Sequence, residues 1–109
     1  MKGRKYKKPK MVYVYALECP VKDEVRYIGV SREPFGRYRK HIKKQGNNKE
    51  KQEWIDWLMG QNLMPKIKII HMTTSLDEAY EKEVKLIKEH RDNGAPLTNI
   101  AEGGAGRGR

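Results

Sequence analysis

Seven residues, taken in chain order, have the types and the spacing to act together: Tyr15, Tyr27, Gly29, Arg37, His41, Glu83 and Asn99. Tyr15 and Tyr27 fall on two neighbouring strand-like segments, and Gly29 ends the second. Arg37 follows Tyr27 by ten residues and His41 follows Arg37 by four, which puts guanidinium and imidazole one turn apart on a single helical face. Glu83 sits in a helical pattern with Ala79, Leu86 and Ile87 at i−4, i+3 and i+4. An acid on the buried side of an amphipathic helix is costly unless it is paired or bound to a cation. The chain's formal charge of +10 points to a polyanionic partner.

The elements that must position these residues can be read from pattern and punctuation. Residues 11–18, MVYVYALE, are rich in Val and Tyr and read as a strand. Pro20 and Asp23 turn the chain into a second strand, Arg26–Val30, so the pair predicts an antiparallel hairpin. A basic helix is expected from Ser31 or Arg32 through Lys44, with Pro34 tolerated only in its first turn. Gly46 and Asn47 break it, and a second helix follows from about Asn48 to Met59, with Trp54, Ile55, Trp57 and Leu58 as its apolar face. Lys66–Met72 alternates as a third strand. Ser75-Leu76-Asp77-Glu78 is a capping-box start for a helix to about His90, with Tyr80, Val84 and Ile87 on one stripe and Ala79, Glu83 and Leu86 beside it. A loop then leads to Leu97–Ile100. The order β-β-α-α-β-α predicts an α/β domain of the α+β kind, a small three-stranded antiparallel sheet flanked by helices with no parallel crossover.

At 109 residues the chain is one domain. Its charge is uneven. The first ten residues hold six Lys or Arg and no acid, and the last nine hold two Arg and one Glu. Positions 11–100 keep 16 basic and 13 acidic residues, a net of +3. The expected organisation is therefore a basic flexible tail (1–10), a folded domain (11–100) and a Gly/Arg-rich tail (101–109). A basic arm raises affinity for nucleic acid without reading its sequence; the plainer alternative is an arm that serves solubility. The single cysteine, Cys19, rules out an internal disulfide and a Cys-rich zinc site. No apolar run approaches the ~20 residues of a membrane span, and the basic start leads into a short strand-like run rather than a secretory core. A cytoplasmic, intracellular setting is the expectation.

Val14-Tyr15-Ala16, Tyr27-Ile28-Gly29, Arg37, His41, Glu83 and Asn99, in that order, resemble the GIY-YIG nuclease family over roughly residues 12–104. The second motif element is literal here; the first is degenerate, with valine and tyrosine around Tyr15. Tyr13 competes with Tyr15 because the two share a strand face. Tyr15 is preferred because its 12-residue separation from Tyr27 fits the family hairpin better than 14. Leu97-Thr98-Asn99 followed by Gly103-Gly104 also looks like the family's C-terminal signature. Some members carry an additional His or Lys after the Arg-containing helix; here that stretch reads Asn48-Lys49-Glu50-Lys51, so Lys49 or Lys51 stands in, or nothing does.

The resemblance implies metal-dependent hydrolysis of DNA phosphodiester bonds. Glu83 is then the ligand of one divalent cation, Mg²⁺ or alternatively Mn²⁺, because a single carboxylate suits an ion that keeps most of its water. Arg37 grips the phosphate with a planar fork that Lys cannot reproduce. Tyr15 is the general base or water positioner, and acts as a base only where nearby cations favour its phenolate. Tyr27 orients water or phosphate, or packs against Tyr15, and His41 relays a proton or contacts phosphate. Arg39, Lys40, Lys43, Lys44 and Asn99 are expected on nucleic acid, although Asn99 is nearer structure than chemistry. DNA is the implied partner, with a protein partner as one source of specificity. A non-catalytic nucleic-acid-binding module of the same fold is the competing reading.

Overall fold

The computed structural model describes residues 10–43 and 46–99. The elements are β1 (Val12–Glu18), β2 (Val25–Ser31), α1 (Pro34–Ile42), α2 (Lys49–Met59), β3 (Lys66–Thr73) and α3 (Leu76–Asp92). The three strands form one antiparallel sheet in the order β2-β1-β3. Residues 1–9 of the expected basic tail (1–10), the whole expected tail 101–109 with Gly103 and Gly104, and Lys44 and Ile100 lie outside the described residues. No helix among the described residues is long and apolar enough to cross a membrane.

β1 is the central strand and is buried on both faces, which explains why its sequence reads as a nearly unbroken apolar run rather than an alternation. Side chains of alternate parity leave a strand on opposite faces. Val12 and Val14 accordingly pack with Ile28, Ala79, Ile87 and Leu97, under α3. Tyr15, Leu17 and Cys19 pack with Tyr27 and with Trp54, Ile55 and Leu58 of α2, and Tyr38 and Ile42 of α1 close that side. The β1–β3 ladder shifts register between Val14 and Tyr15, at the residue where the chemistry concentrates.

β2 is an edge strand, and the segment after α3 covers its open side. Thr98 donates to the Arg26 carbonyl through both its N–H (2.6 Å) and its hydroxyl (2.8 Å). Asn99 accepts from Ile28 N–H at 3.0 Å through Oδ1 and donates to the Ile28 carbonyl at 2.8 Å through Nδ2. A side-chain amide thus completes the ladder that an edge strand would leave open. Tyr27 lies between the two clamped residues.

The helices depart from the sequence reading in three places. α1 begins at Pro34 rather than Ser31 or Arg32, because Ser31 is still in β2 and its hydroxyl accepts the Glu33 N–H at 2.9 Å. Trp57 lies off the inward seam of α2 and is half exposed, with the Lys22 ammonium 5.8 Å from its ring, whereas Trp54, Ile55 and Leu58 are buried. In α3 the buried seam is Ala79–Glu83–Ile87 at i, i+4 spacing, and Val84 is turned to solvent. At the α3 N-cap Ser75 Oγ accepts the Glu78 N–H at 3.1 Å as read, while the returning half of the box is replaced: the Ser75 N–H donates to Thr73 Oγ1 at 3.0 Å and the Glu78 carboxylate meets His71 at 2.8 Å.

Candidate active site

Tyr15 stands at the centre of the site because of what opposes it. In the hairpin its Cα partner is Gly29, and a Cβ added to Gly29 would lie 2.7 Å from both Cζ and Oη of Tyr15. A side chain at position 29 would therefore displace the end of the tyrosine ring. The glycine of Tyr27-Ile28-Gly29 leaves room for the hydroxyl of the opposite strand.

That hydroxyl meets α1. Tyr15 Oη lies 2.9 Å from His41 Nε2, and Arg37, one turn earlier on the same helix face, acts on the same hydroxyl and favours its ionised form. Tyr27 meets His41 edge-on, with ring centroids 5.0 Å apart, and tilts against Tyr15 at 6.3 Å. Glu83, only 1% exposed on the opposing face of α3, acts electrostatically on Tyr15. Four separate elements, β1, β2, α1 and α3, thus bring Tyr15, Tyr27, Arg37, His41 and Glu83 to one place.

α2 adds a residue that carried no role in the sequence reading beyond one of two lysine options. Lys51 is 5% exposed, its Nζ lies 2.6 Å from His41 Nδ1, and the ammonium sits 4.7 Å from the centre of the Tyr27 ring. Lys49, by contrast, is exposed. The α2 N-cap holds Lys51 in place: Asn48 Oδ1 accepts the Lys51 N–H at 3.0 Å, while Asn48 Nδ2 donates to the Thr98 carbonyl at 2.9 Å. Lys51 precedes Trp54, Ile55 and Leu58 by three, four and seven residues. It is a cation on the apolar stripe, the same signal that singled out Glu83.

The electrostatics follow from burial. Loss of solvent is the largest influence on Tyr15 and raises its pKa well above the usual tyrosine range; Tyr27 and Glu83 push the same way, and Arg37 opposes them. At neutral pH Tyr15 is a phenol, so the cations around it do not make it a standing phenolate. His41 is lowered to about 3 by burial first and then by Lys51 and Arg37, so its imidazole is neutral. Lys51 is lowered to about 8, again by burial and then by Arg37.

The remaining candidates separate from this centre. Arg39, Lys40 and Lys43 are exposed along α1, where they are free to meet a polyanion. Asn99 was expected on nucleic acid. Both ends of its amide are instead spent on Ile28, so its visible work is to hold β2. Tyr13 lines a surface groove with Arg32, Phe35, Arg39 and Ile69, two residues along β1 from the His41 bond. His71 and His90 are engaged elsewhere, with Glu78 and with the Leu86 carbonyl. The clamping bonds of Asn48 and Thr98 escaped the sequence reading, since their partners lie 50 and 72 residues away. Among the described residues no three His, Cys, Asp or Glu side chains cluster as metal ligands. A protein cage for a metal is therefore not what this site offers. A buried carboxylate, that of Glu83, within electrostatic reach of the Tyr15 hydroxyl fits a divalent cation that keeps most of its water.

The structure is a small α+β domain centred on a buried tyrosine–histidine pair with an arginine and a buried glutamate within electrostatic reach. The family model of the GIY-YIG catalytic domain matches residues 11–95, and the chain belongs to that family, whose members are nucleases. The match ends at Ala95, before the Thr98–Asn99 clamp. No curated protein and no solved structure matches the chain.

Proposed function

We propose that the protein is a metal-dependent endonuclease that hydrolyses DNA phosphodiester bonds. The observation that carries this is the buried Tyr15 hydroxyl held 2.9 Å from His41, with Arg37 and Glu83 both within electrostatic reach of it. Hydrolysis needs an oriented water, a group that neutralises charge gathering on the phosphate, and relief for the leaving oxygen. Tyr15 holds the water in line and exchanges a proton with it at Oη. The Arg37 fork matches two non-bridging phosphate oxygens and keeps the phosphorus over that water. Glu83 is the group that would hold the divalent cation, Mg²⁺ or Mn²⁺, whose charge supports the phosphate and leaving oxygen when bound. Tyr27 packs His41 and so keeps the imidazole aimed at Tyr15. The exposed cations Arg39, Lys40 and Lys43 of α1, with Lys44 beyond, would track the DNA backbone.

The deciding experiment incubates plasmid, nicked and branched DNA with the protein in Mg²⁺ or EDTA, and compares wild type with Glu83→Gln. The expected result is cleavage that EDTA abolishes and that the variant lacks, with DNA affinity kept within a few-fold. Binding without cleavage by the wild type in any metal would favour the non-catalytic module. Metal-dependent cutting that survives Glu83→Gln would remove Glu83 from its role.

A further inference from the structure

The centre contains a proton-transfer problem. Tyr15 must take a proton from water, yet burial keeps it a phenol, and His41 beside it is too weakly basic to hold the proton that Tyr15 would release. Neither residue can end the transfer. The geometry continues past them, because Tyr15 Oη, the two nitrogens of His41 and Lys51 Nζ form an unbroken line with steps of 2.9 and 2.6 Å.

We propose that Lys51 is the terminal proton acceptor of a wire running from the attacking water through Tyr15 and His41, an inference that rests on the nuclease reading above. A neutral imidazole carries one N–H, so its two hydrogen bonds fix each other. With Lys51 as an amine, His41 Nδ1–H donates to Lys51 Nζ and Nε2 accepts the Tyr15 hydroxyl. With Lys51 as an ammonium, Lys51 donates to Nδ1 and Nε2–H donates to Tyr15. The reaction converts the first arrangement into the second. As the water oxygen bonds to phosphorus, its proton passes to Tyr15 Oη, the Tyr15 proton to His41 Nε2, and the Nδ1 proton to Lys51 Nζ. The bond from phosphorus to the leaving oxygen breaks, and that oxygen takes a proton from solvent. Tyr15 and His41 end neutral, as they began, and the single new charge sits on Lys51 until it is released to solvent.

Lys51 suits this task because its pKa, about 8, lies near neutrality, whereas those of the other two do not. The groups facing the wire are Arg37 on α1, which disfavours the ammonium, Tyr27 on β2, whose ring lies under Lys51, and Glu83 on α3, which acts on Tyr15. Lys51 touches no substrate atom and works through His41.

The test is nitrogen NMR of the imidazole in the full chain, with the His41 signals assigned by their loss in His41→Gln. From pH 6 to pH 10 the expected spectrum is that of a neutral ring throughout, whose proton moves from Nε2 to Nδ1 with a midpoint near 8, the Lys51 value. A tautomer that ignores pH over this range, or a ring that becomes cationic near its ordinary ~6.5, overturns the wire. Kinetics supply a second arm. The single-turnover rate should rise with pH through the same midpoint, and Lys51→Arg, which keeps the charge but cannot take up a proton, should lose about 100-fold or more in rate while holding DNA within about threefold. Near-normal cleavage by Lys51→Arg would reduce Lys51 to a charge that merely orients His41, and overturns the proposal. The spectrum needs no substrate. A protein that never cuts DNA therefore overturns the nuclease reading, while the tautomer alone still decides the wire.

Discussion

A tyrosine hydroxyl buried at the junction of four elements has to be matched by polar groups, since burial without them costs more than the ring contributes by packing. His41 and Arg37 supply that match for Tyr15, and nothing comparable surrounds Tyr13, which lies toward the surface. The two residues therefore make a matched pair. Tyr15→Phe keeps the ring and its packing, so the fold should survive with a loss of about 1 kcal/mol while single-turnover cleavage falls by roughly 10²–10⁴. Tyr13→Phe should change the rate by less than about threefold, the size of a surface effect. Cleavage rates with melting curves on both variants check this, and a large loss at Tyr13 alone would move the centre two residues along β1. His41 gives a second expectation at the same scale. Its folded pKa of about 3 lies below the ordinary value of 6.5, so between those pH values the unfolded chain binds a proton that the folded chain does not. Stability should then rise with pH across that window and be lost as pH falls toward 3, by on the order of 5 kcal/mol in all. Urea titrations from pH 4 to pH 7 measure the slope, and His41→Gln should flatten it; an equal slope in the variant would place the acid sensitivity elsewhere.

At the scale of elements, the site depends on one short approach between strands and one long-range clamp. Gly29→Ala would put a methyl 2.7 Å from the Tyr15 hydroxyl, in a sheet packed on both faces. The ring tip must swing away from His41, so the expected loss is tenfold or more in cleavage, with about 1–3 kcal/mol of overpacking. A crystal structure or nuclear Overhauser effects between Tyr15 and His41 would check the displacement, and an unchanged ring position with unchanged rate would show that the sheet yields instead. Much of this arrangement was legible in the sequence. The strand pattern of 11–18, the i, i+4 spacing of Arg37 and His41 and the acid on the α3 stripe are local signals, and local signals survive without a structure. Trp57 misled because an aromatic beside Trp54 suggests one apolar face, whereas the seam of α2 is set by residues 51, 54, 55 and 58. Lys51 was left level with Lys49 because a lysine is taken as a surface residue unless its helical phase is checked. The Asn99–Ile28 and Asn48–Thr98 bonds were illegible for another reason: an amide has no preferred partner until the fold brings one to it.

For the molecule as a whole, the question is where the excess charge acts. The chain carries +10, and five of its cations, Lys2, Arg4, Lys5, Lys7 and Lys8, lie in the first nine residues, ahead of β1. Within the described domain Arg39 and Lys40 of α1 and Lys43 at its C-cap form an exposed basic row on the helix that also carries Arg37 and His41. On the proposed function, the domain and the segment before it should make separable contributions to DNA affinity, both electrostatic and both sensitive to salt. Deleting residues 1–9 removes five charges without touching the Tyr15–His41–Lys51 line. Every phosphate that the protein ceases to neutralise should reduce the slope of log K against log salt by about 0.9 on duplex DNA. If all five cations meet phosphate, the slope should fall by roughly 4–5, and affinity at low salt should drop far more than affinity at high salt. The rate at saturating DNA should stay within about twofold, because nothing at the reacting atoms has changed. Binding is best measured in the Glu83→Gln background, so that cleavage does not consume the probe, and the rate in the active protein. An unchanged salt slope would mean that these cations never reach the DNA backbone and that affinity rests on the α1 row. A slope that falls together with the saturated rate would mean instead that the segment helps to set the phosphate against Arg37.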